Sequence, residues 1–240
     1  MGIEHSQLLL LLNWMSPAFP IGTYAYSHGL EWAIESDDVS TPHEVEEWIT
    51  DLITRGSGWN DAVLFALSYE QDVNDLASAL CSSQERYLET TQLGAAFEKA
   101  ALVFLSSHPR ACPGEPTFDA SELEAMGRRN KSGDDNILYD TEIAYPIAAA
   151  HACKAMGIDR EHALLAFLQG FSNALISVAV RLVPIGQTAG LEIMRNLMPV
   201  ISATAMRASN ATLSDLGSIT LLSDVAAMKH ETQSSRIFRT

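Results

Sequence analysis

The stretch "REHALLAFLQGFSNALISVAVRL", residues 160–182, decides the fold of this chain. Its apolar residues lie almost all the way round a helix, which is typical of a helix enclosed by other helices. Asp159 stands directly before it and can cap its N-terminus with a carboxylate oxygen. The stretch therefore predicts a central, fully packed helix.

Helical patterns continue on both sides of this stretch. In "TPHEVEEWITDLI", residues 41–53, Thr41 and Glu44 have the spacing of a capping box, and Pro42 fits the first helical position. Its apolar residues then recur at the spacing of one buried helical face. The other predicted helices cover residues 62–80, residues 84–106, a segment resuming after Pro184 and Gly186, and roughly residues 212–229. No two consecutive segments alternate as strands do, so the fold class is all-α.

The chain is predicted to be one domain over residues 1–240, a multi-helix bundle with a polar loop excursion around 107–140. That excursion contains prolines, glycines and many charges, which is typical of a loop. Its "SELE" segment has capping-box form and could start a short helix. We find no repeat and no second core.

The composition narrows the class of partner and the compartment. The formal net charge is −15, from 30 acidic and 15 basic side chains, and such a surface repels nucleic acid and anionic membranes. Three widely spaced cysteines without a CxxC pair argue against a thiol zinc site or a disulfide framework, which favours the cytoplasm. The apolar run from Leu8 lacks the basic flank and cleavage site of a signal peptide, so we interpret it as a core helix.

Motifs of catalysis are absent from the sequence. The chain has no GxxxxGK[ST] phosphate-binding loop, no HExxH zinc motif and no GxSxG nucleophile elbow. The histidines are scattered, and no pair has ligand spacing on one helical face. These absences favour a non-enzymatic protein with no catalytic or metal-ligating residues.

Two other classes stay open from the residues alone. A helical hydrolase or lyase could use Glu31, Glu35 and His28, provided that they share a concave, water-poor pocket. The competing interpretation is that Glu31 and Glu35 form a solvated helix face and that His28 is a hydrogen-bonded or surface histidine. A metal-storage bundle would need inward-facing Glu-x-x-His pairs, and the sequence contains none.

Two segments have the character of recognition surfaces. In "SPAFPIGTYAYSHGLEWAIE", residues 16–35, prolines and glycines shape a rigid turn that presents Tyr24 and Tyr26. The end of the chain, "HETQSSRIFRT", residues 230–240, is here called the C-terminal arm. Its Arg236, Phe238 and Arg239 suggest docking in preference to a frayed end.

These segments resemble the UreF family of urease accessory proteins. The resemblance rests on the opening stretch, on "SSQERYLETTQLGAAF" (82–97), on "NALISVAVRLVPIGQTAG" (173–190) and on the arm, in that order along the chain. It covers most of the sequence outside 107–140. It implies an all-α, dimeric protein that is not itself an enzyme.

The resemblance also implies a set of partners. Family members assemble with a UreD/UreH-type scaffold and the UreG GTPase, and the complex delivers nickel to apo-urease. No cofactor is then bound tightly by this chain, because nickel passes through the complex and GTP is bound by the partner. The missing phosphate-binding loop agrees with a partner of a GTPase.

Some residue roles follow from the resemblance. Tyr24 and Arg236 match family positions, and we expect them to meet when the arm folds back to order the surface for the scaffold. Gln187 is similar to a family glutamine near the nickel passage. Glu31 and Asp61 match acidic positions of the face offered to the GTPase. Leu191 stands where a second glutamine is expected, which weakens a polar passage there.

Overall fold

The computed structural model describes residues 2–106 and 142–239. The polar excursion predicted around 107–140 lies outside the described residues. The helices are α1 (His5–Trp14), α2 (Leu30–Glu35), α3 (Pro42–Arg55), α4 (Ser57–Leu67), α5 (Asn74–Ala79), α6 (Gln84–Ser106), α7 (Tyr145–Ala155), α8 (Arg160–Leu182), α9 (Gly186–Ser209) and α10 (Leu221–His230). Single 3-10 turns cover Thr23–Ala25 and Leu213–Asp215, and the described residues contain no strand, so the all-α prediction is confirmed.

The helix α8 occupies the centre, as its sequence predicts. It packs against α1, α2, α3, α4, α7 and α9, and Asp159 caps it by accepting hydrogen bonds from the backbone N–H groups of Glu161 and His162. The prediction that α8 is fully buried is wrong, however. About half of its most apolar segment is buried, and the remaining residues are at least partly exposed. Among the described helices, α8 alone is long and apolar enough to cross a membrane. Its packing here is that of a core helix.

Aromatic rings fill the interior beside α8. Phe97 of α6 lies 6.0 Å from Trp14, 5.5 Å from Phe19 and 5.7 Å from Tyr145, measured between ring centroids. Tyr145 in turn lies 5.5 Å from Phe167 of α8. The rings meet at tilted or edge-on angles, which suit their quadrupoles.

Several predicted helices agree with the structure. The helix from Thr41 has its capping box, with Thr41 accepting from the backbone N–H of Glu44. The prediction over 84–106 is confirmed, and a helix resumes after Pro184, at Gly186. The prediction over 62–80 is wrong, because α4 ends at Leu67 and a turn separates it from α5.

The last predicted helix, over 212–229, is too long at its start. Residues 216–220 leave helical geometry because tertiary contacts hold them. The Gly217 backbone N–H donates to Asn60 Oδ1 (2.9 Å), and that of Ile219 donates to the Arg55 carbonyl (3.0 Å). Only then does α10 begin, and it packs on α2 and α6 at the periphery.

Candidate functional site

The C-terminal arm folds back onto the start of α2. The carboxylate of Glu31 accepts two backbone hydrogen bonds from the arm, from the N–H of Ile237 (2.7 Å) and from that of Phe238 (2.9 Å). The Arg239 N–H donates to the carbonyl of Ala25 in the opening stretch (2.7 Å). The side chain of Phe238 joins the hydrophobic core and is only 4% exposed. The arm is therefore fixed by both its backbone and an apolar anchor.

Four ionisable side chains, here called the anchor cluster, surround this contact: Glu31, Glu85, His230 and Arg236. His230 is 0% exposed, with Nδ1 2.8 Å from Glu85 Oε2 and Nε2 3.0 Å from Glu31 Oε2. The other oxygen of Glu85 accepts a hydrogen bond from Arg236 Nη1 (2.6 Å). The cluster thus joins α2, α6, the end of α10 and the arm.

A second group, here called the inner cluster, consists of His28, Asp61, Arg86 and Glu89. His28 Nε2 lies 3.0 Å from Glu89 Oε1, and Arg86 binds both Glu89 (2.5 Å) and Asp61 (3.2 Å). Two cavities of about 40 Å³ each lie beside it, and Asp61 lines both. Each is large enough for a few water molecules.

Burial and ion pairing shift the pKa values of the inner cluster in opposite directions. Burial raises the pKa of Asp61, although Arg86 partly opposes this. Burial would also raise the pKa of Glu89, but Arg86 and His28 outweigh it and lower that pKa to about 2. For Arg86, burial would lower the pKa, but Glu89 and Asp61 outweigh it and raise the pKa. Arg86 and Glu89 therefore remain a charged pair at neutral pH.

Local backbone geometry at the start of α2 positions both clusters. His28 and Gly29 both have positive φ, of 52° and 76°. A Cβ at Gly29 would lie 2.7 Å from the backbone nitrogen of Ala227 and 2.9 Å from the Cβ of Ala226. Glycine is therefore needed for conformation and for the close approach of α10. This approach brings His230 to Glu31.

The family model for UreF matches residues 39–198, two thirds of the chain. A urease accessory protein UreF of Mesorhizobium japonicum is 40% identical over 240 residues, covering 97% of this chain and 96% of the relative. Those of Ruegeria pomeroyi and Methylobacterium sp. strain 4-46 are each 37% identical over 241 residues, covering 98% and 96% of this chain and 97% and 88% of the relatives.

The chain belongs to the UreF family. The resemblance seen in the sequence is thereby confirmed. The relatives are named as accessory proteins of urease, so this UreF-family chain is a non-enzymatic protein of urease maturation.

The structure corrects the predicted meeting of Tyr24 and Arg236. Arg236 binds Glu85, and Tyr24 is 55% exposed; among the described residues, no hydrogen bond or cation–π contact joins the two. The arm does reach the opening stretch, but through Arg239. Its backbone N–H donates to the Ala25 carbonyl, and its side chain donates to Gln92 Oε1, which also accepts from the Tyr26 hydroxyl. The reason is that Glu31 fixes the amides of the two residues after Arg236, which places its guanidinium beside α6.

Four residues predicted at partner surfaces lie inside in this UreF-family chain. Glu31, Tyr26 and Phe238 are buried, and Asp61 is largely covered through its pair with Arg86. The prediction that they are exposed is wrong. The interpretation that Glu31 and Glu35 form a solvated helix face is wrong for Glu31, whereas Glu35 is exposed as predicted. Burial of Glu31 and Phe238 orders the arm, and the contribution of all four residues to partner binding stays a prediction.

The other predicted residues are accessible. Tyr24, Arg236 and Arg239 lie at the surface around the docked arm, and Gln187 is exposed in the first turn of α9. Gln187 and Leu191 are thus surface residues on a helix that packs on α3, α4 and α8. Partner binding and nickel passage at these positions stay predictions.

The residues of the alternative enzyme do not share one pocket. His28 lines a small cavity whose lining contains neither Glu31 nor Glu35, and Glu35 is exposed. Over residues 2–106 and 142–239, no group of three or more His, Cys, Asp or Glu side chains is arranged to hold a metal ion.

Sequence reasoning missed Glu85, Arg86, Glu89 and His230. A signal for two of them is present in α6, where Glu85 and Glu89 continue at i and i+4 the face that includes Leu93 and Phe97. Carboxylates in line with a buried apolar face predict buried ion pairs. Their partners could not be read from the sequence, because His230 lies far along the chain.

Proposed function

We propose that this chain is the helical assembly factor that bridges a UreD/UreH-type scaffold and the UreG GTPase, promotes nickel insertion into apo-urease and modulates GTP use. Membership of the UreF family supports the general role. The docked arm, held by Glu31 and seated by Phe238, is the observation that carries the bridging role.

The docked arm creates a surface of mixed chemistry. Ile237 points outward and is 74% exposed, although its backbone N–H is fixed by Glu31. Arg236 and Arg239 flank it, and Tyr24 lies beside Ala25, to which the arm is bonded. Aromatic and arginine side chains are enriched at protein interfaces, and the exposed Ile237 between them adds apolar area on a fixed backbone.

The outer side of α10 extends this surface with apolar groups. Exposed aliphatic side chains lie on it at helical spacing and just before it: Ile219, Leu221, Leu222, Val225 and Met228. Contiguous exposed apolar groups on a helix mark a binding surface. We assign this face and the arm to the UreD/UreH-type scaffold.

Co-purification with the scaffold and the GTPase of the same organism tests this assignment. Ile237→Asp places a charge at the centre of the surface and should reduce recovery of the scaffold about tenfold or more, as expected for a central interface residue. Leu9→Asp is the matched control, because Leu9 on α1 is similarly accessible, at 67% against 74% for Ile237. Normal recovery with Ile237→Asp would contradict the assignment.

The nickel role of Gln187 is a separate part of the proposal. Its neutral amide oxygen is a weak ligand, which suits transit more than storage. Gln187→Leu should slow urease activation while the complex still co-purifies, and Gln169→Leu, at an exposed position of α8, provides the control. Unchanged activation by Gln187→Leu would remove this role.

Dimerisation is the remaining part of the proposal. The helix α9 exposes Leu191, Met198 and Met206 along one side, which would be covered by a second copy. Met198→Asp should shift the isolated protein from dimer to monomer in sedimentation. A monomeric wild-type protein would contradict the proposed state.

A further inference from the structure

His230 lies between two carboxylates that come from different helices, and it is closed off from water. We propose that His230 acts as an imidazolium that fastens the C-terminal arm, so that loss of its proton releases the arm. His230 is then a positioning residue that makes the partner surface dependent on protonation. This regulation rests on the proposed scaffold-binding role of that surface.

The two hydrogen bonds between His230 and the carboxylates require a donor on each ring nitrogen. An ionised carboxylate only accepts hydrogen bonds, and a neutral imidazole has one nitrogen that donates and one that accepts. Glu31 already accepts from two backbone N–H groups, and Glu85 accepts from Arg236. Both carboxylates therefore act as acceptors in their other bonds. The contacts at 2.8 Å and 3.0 Å are both satisfied when both ring nitrogens of His230 carry hydrogen.

The charges around the ring balance when His230 carries a second proton. The ring faces Glu31 of α2 and Glu85 of α6. The nearby charged residues of the arm are Arg236 and Glu231. The carboxylate of Glu231 turns to the backbone N–H of Gln84 (2.9 Å), and Lys229 points to solvent. Glu35 bonds Gln233 at the surface, while Arg86 and Glu89 pair within the inner cluster. The imidazolium and Arg236 thus balance Glu31 and Glu85.

The ring and the arm bind the same two carboxylates. Glu31 binds both His230 and the amides of Ile237 and Phe238, and Glu85 binds both His230 and Arg236. A neutral ring would turn a lone pair toward one carboxylate and leave a buried charge short of a donor, which is costly. Outward movement of the arm and α10 would rehydrate that charge. Histidine is the side chain suited to such a change near neutral pH.

Amide hydrogen exchange on the isolated full-length chain tests the proposal without any partner. Exchange of the Ile237 and Phe238 amides, corrected for the intrinsic pH effect, should accelerate about tenfold or more between pH about 6 and about 9, as expected for losing a charge-assisted hydrogen bond. In Glu85→Gln the side-chain amide can donate to a neutral His230, so this pH dependence should disappear. His43→Gln, at an exposed histidine of α3, should behave like the wild type.

Ring-nitrogen NMR of His230 provides a second readout, which a purely structural role would not move. At pH values where the Ile237 and Phe238 amides are protected from exchange, both ring nitrogens should give the signal of protonated nitrogen. As that protection falls with rising pH, one of them should lose this signal. Protection that is independent of pH in the wild type, or a ring neutral while the arm is docked, would overturn the proposal. If raising the pH releases the arm as expected but leaves scaffold binding unchanged, the proposed scaffold surface is wrong, while the role of His230 in holding the arm is supported.

Discussion

The two halves of α6 show two ways of stabilising the same helix face. At its N-terminal half, Glu85 and Glu89 are buried in ion pairs and hydrogen bonds. At its C-terminal half, Leu93 and Phe97 are buried among apolar and aromatic side chains. Successive members of this set stand four residues apart, so the face changes from charged to apolar along one helix.

The two halves differ in what their stability depends on. Apolar packing depends on shape and volume, and is unaffected by protonation. Each carboxylate at the other end depends on specific partners: Glu89 on His28 and Arg86, and Glu85 on His230 and Arg236. We infer that the aromatic half maintains the fold, while the charged half holds segments that bind partners.

The largest expected effect is at the aromatic half. Phe97→Ala should lower the free energy of unfolding by about 3–5 kcal/mol, because it leaves a cavity among three rings. Urea unfolding measures this, and Lys99→Ala, exposed on the same helix, is the control. Below the unfolding midpoint, the arm amides should keep their protection. Selective release of the arm in Phe97→Ala would show that the halves are not separable.

An intermediate effect is expected at Gly29. Gly29→Ala should cost about 2–4 kcal/mol, because it combines positive φ with a clash against α10. Gly22→Ala is a matched control, since Gly22 has a φ of 88° and no atom within 4 Å of the added Cβ. Gly22→Ala should cost only about 1 kcal/mol, from backbone strain alone. Equal losses in unfolding experiments would contradict close packing of α10 on this turn.

The smallest effect is the response of the inner cluster to acid. The pKa of Glu89 is lowered from 4.5 to about 2 in the folded state. Its ionised form therefore contributes to the free energy of unfolding above pH 4.5, and this contribution is lost as pH falls toward 2. The raised pKa of Asp61 works in the opposite direction, because protonation relieves its burial. The net loss should be on the order of 2 kcal/mol.

Unfolding free energies measured across this pH range check the acid response. Glu89→Gln should flatten this part of the profile, whereas Glu70→Gln, at an exposed carboxylate, should leave it unchanged. A wild-type profile with no fall between pH 4.5 and 2 would remove the assigned role of Glu89.

The sequence predicted those parts of the fold that depend on local pattern. Thr41, Asp159 and Pro184 mark helix boundaries through caps and backbone geometry, so these boundaries were found. The start of α10 was misplaced because Gly217 and Ile219 bond to α4 and α3, and such contacts leave no local signature.

The candidate site was predicted only in outline. The opening stretch and the arm were identified by composition and by family resemblance, and the structure brings them together. The pairing was wrong, because which side chain meets Arg236 depends on a backbone contact to Glu31 some 200 positions away in the chain. Glu31 was assigned to a surface, since a helix of six residues gives too short a pattern to show which side is buried.

The most direct test of the account compares Glu31→Gln with Glu35→Gln. Both lie on α2 one turn apart, but only Glu31 binds His230 and the backbone N–H groups of the arm. Glu35 accepts a hydrogen bond from the side chain of Gln233, and a glutamine oxygen can still accept there. Affinity for the purified scaffold should fall about tenfold or more in Glu31→Gln, because one lost charge-assisted bond is worth this much, and change little in Glu35→Gln. Wild-type affinity in a folded Glu31→Gln protein would contradict the claim that the docked arm forms the partner surface.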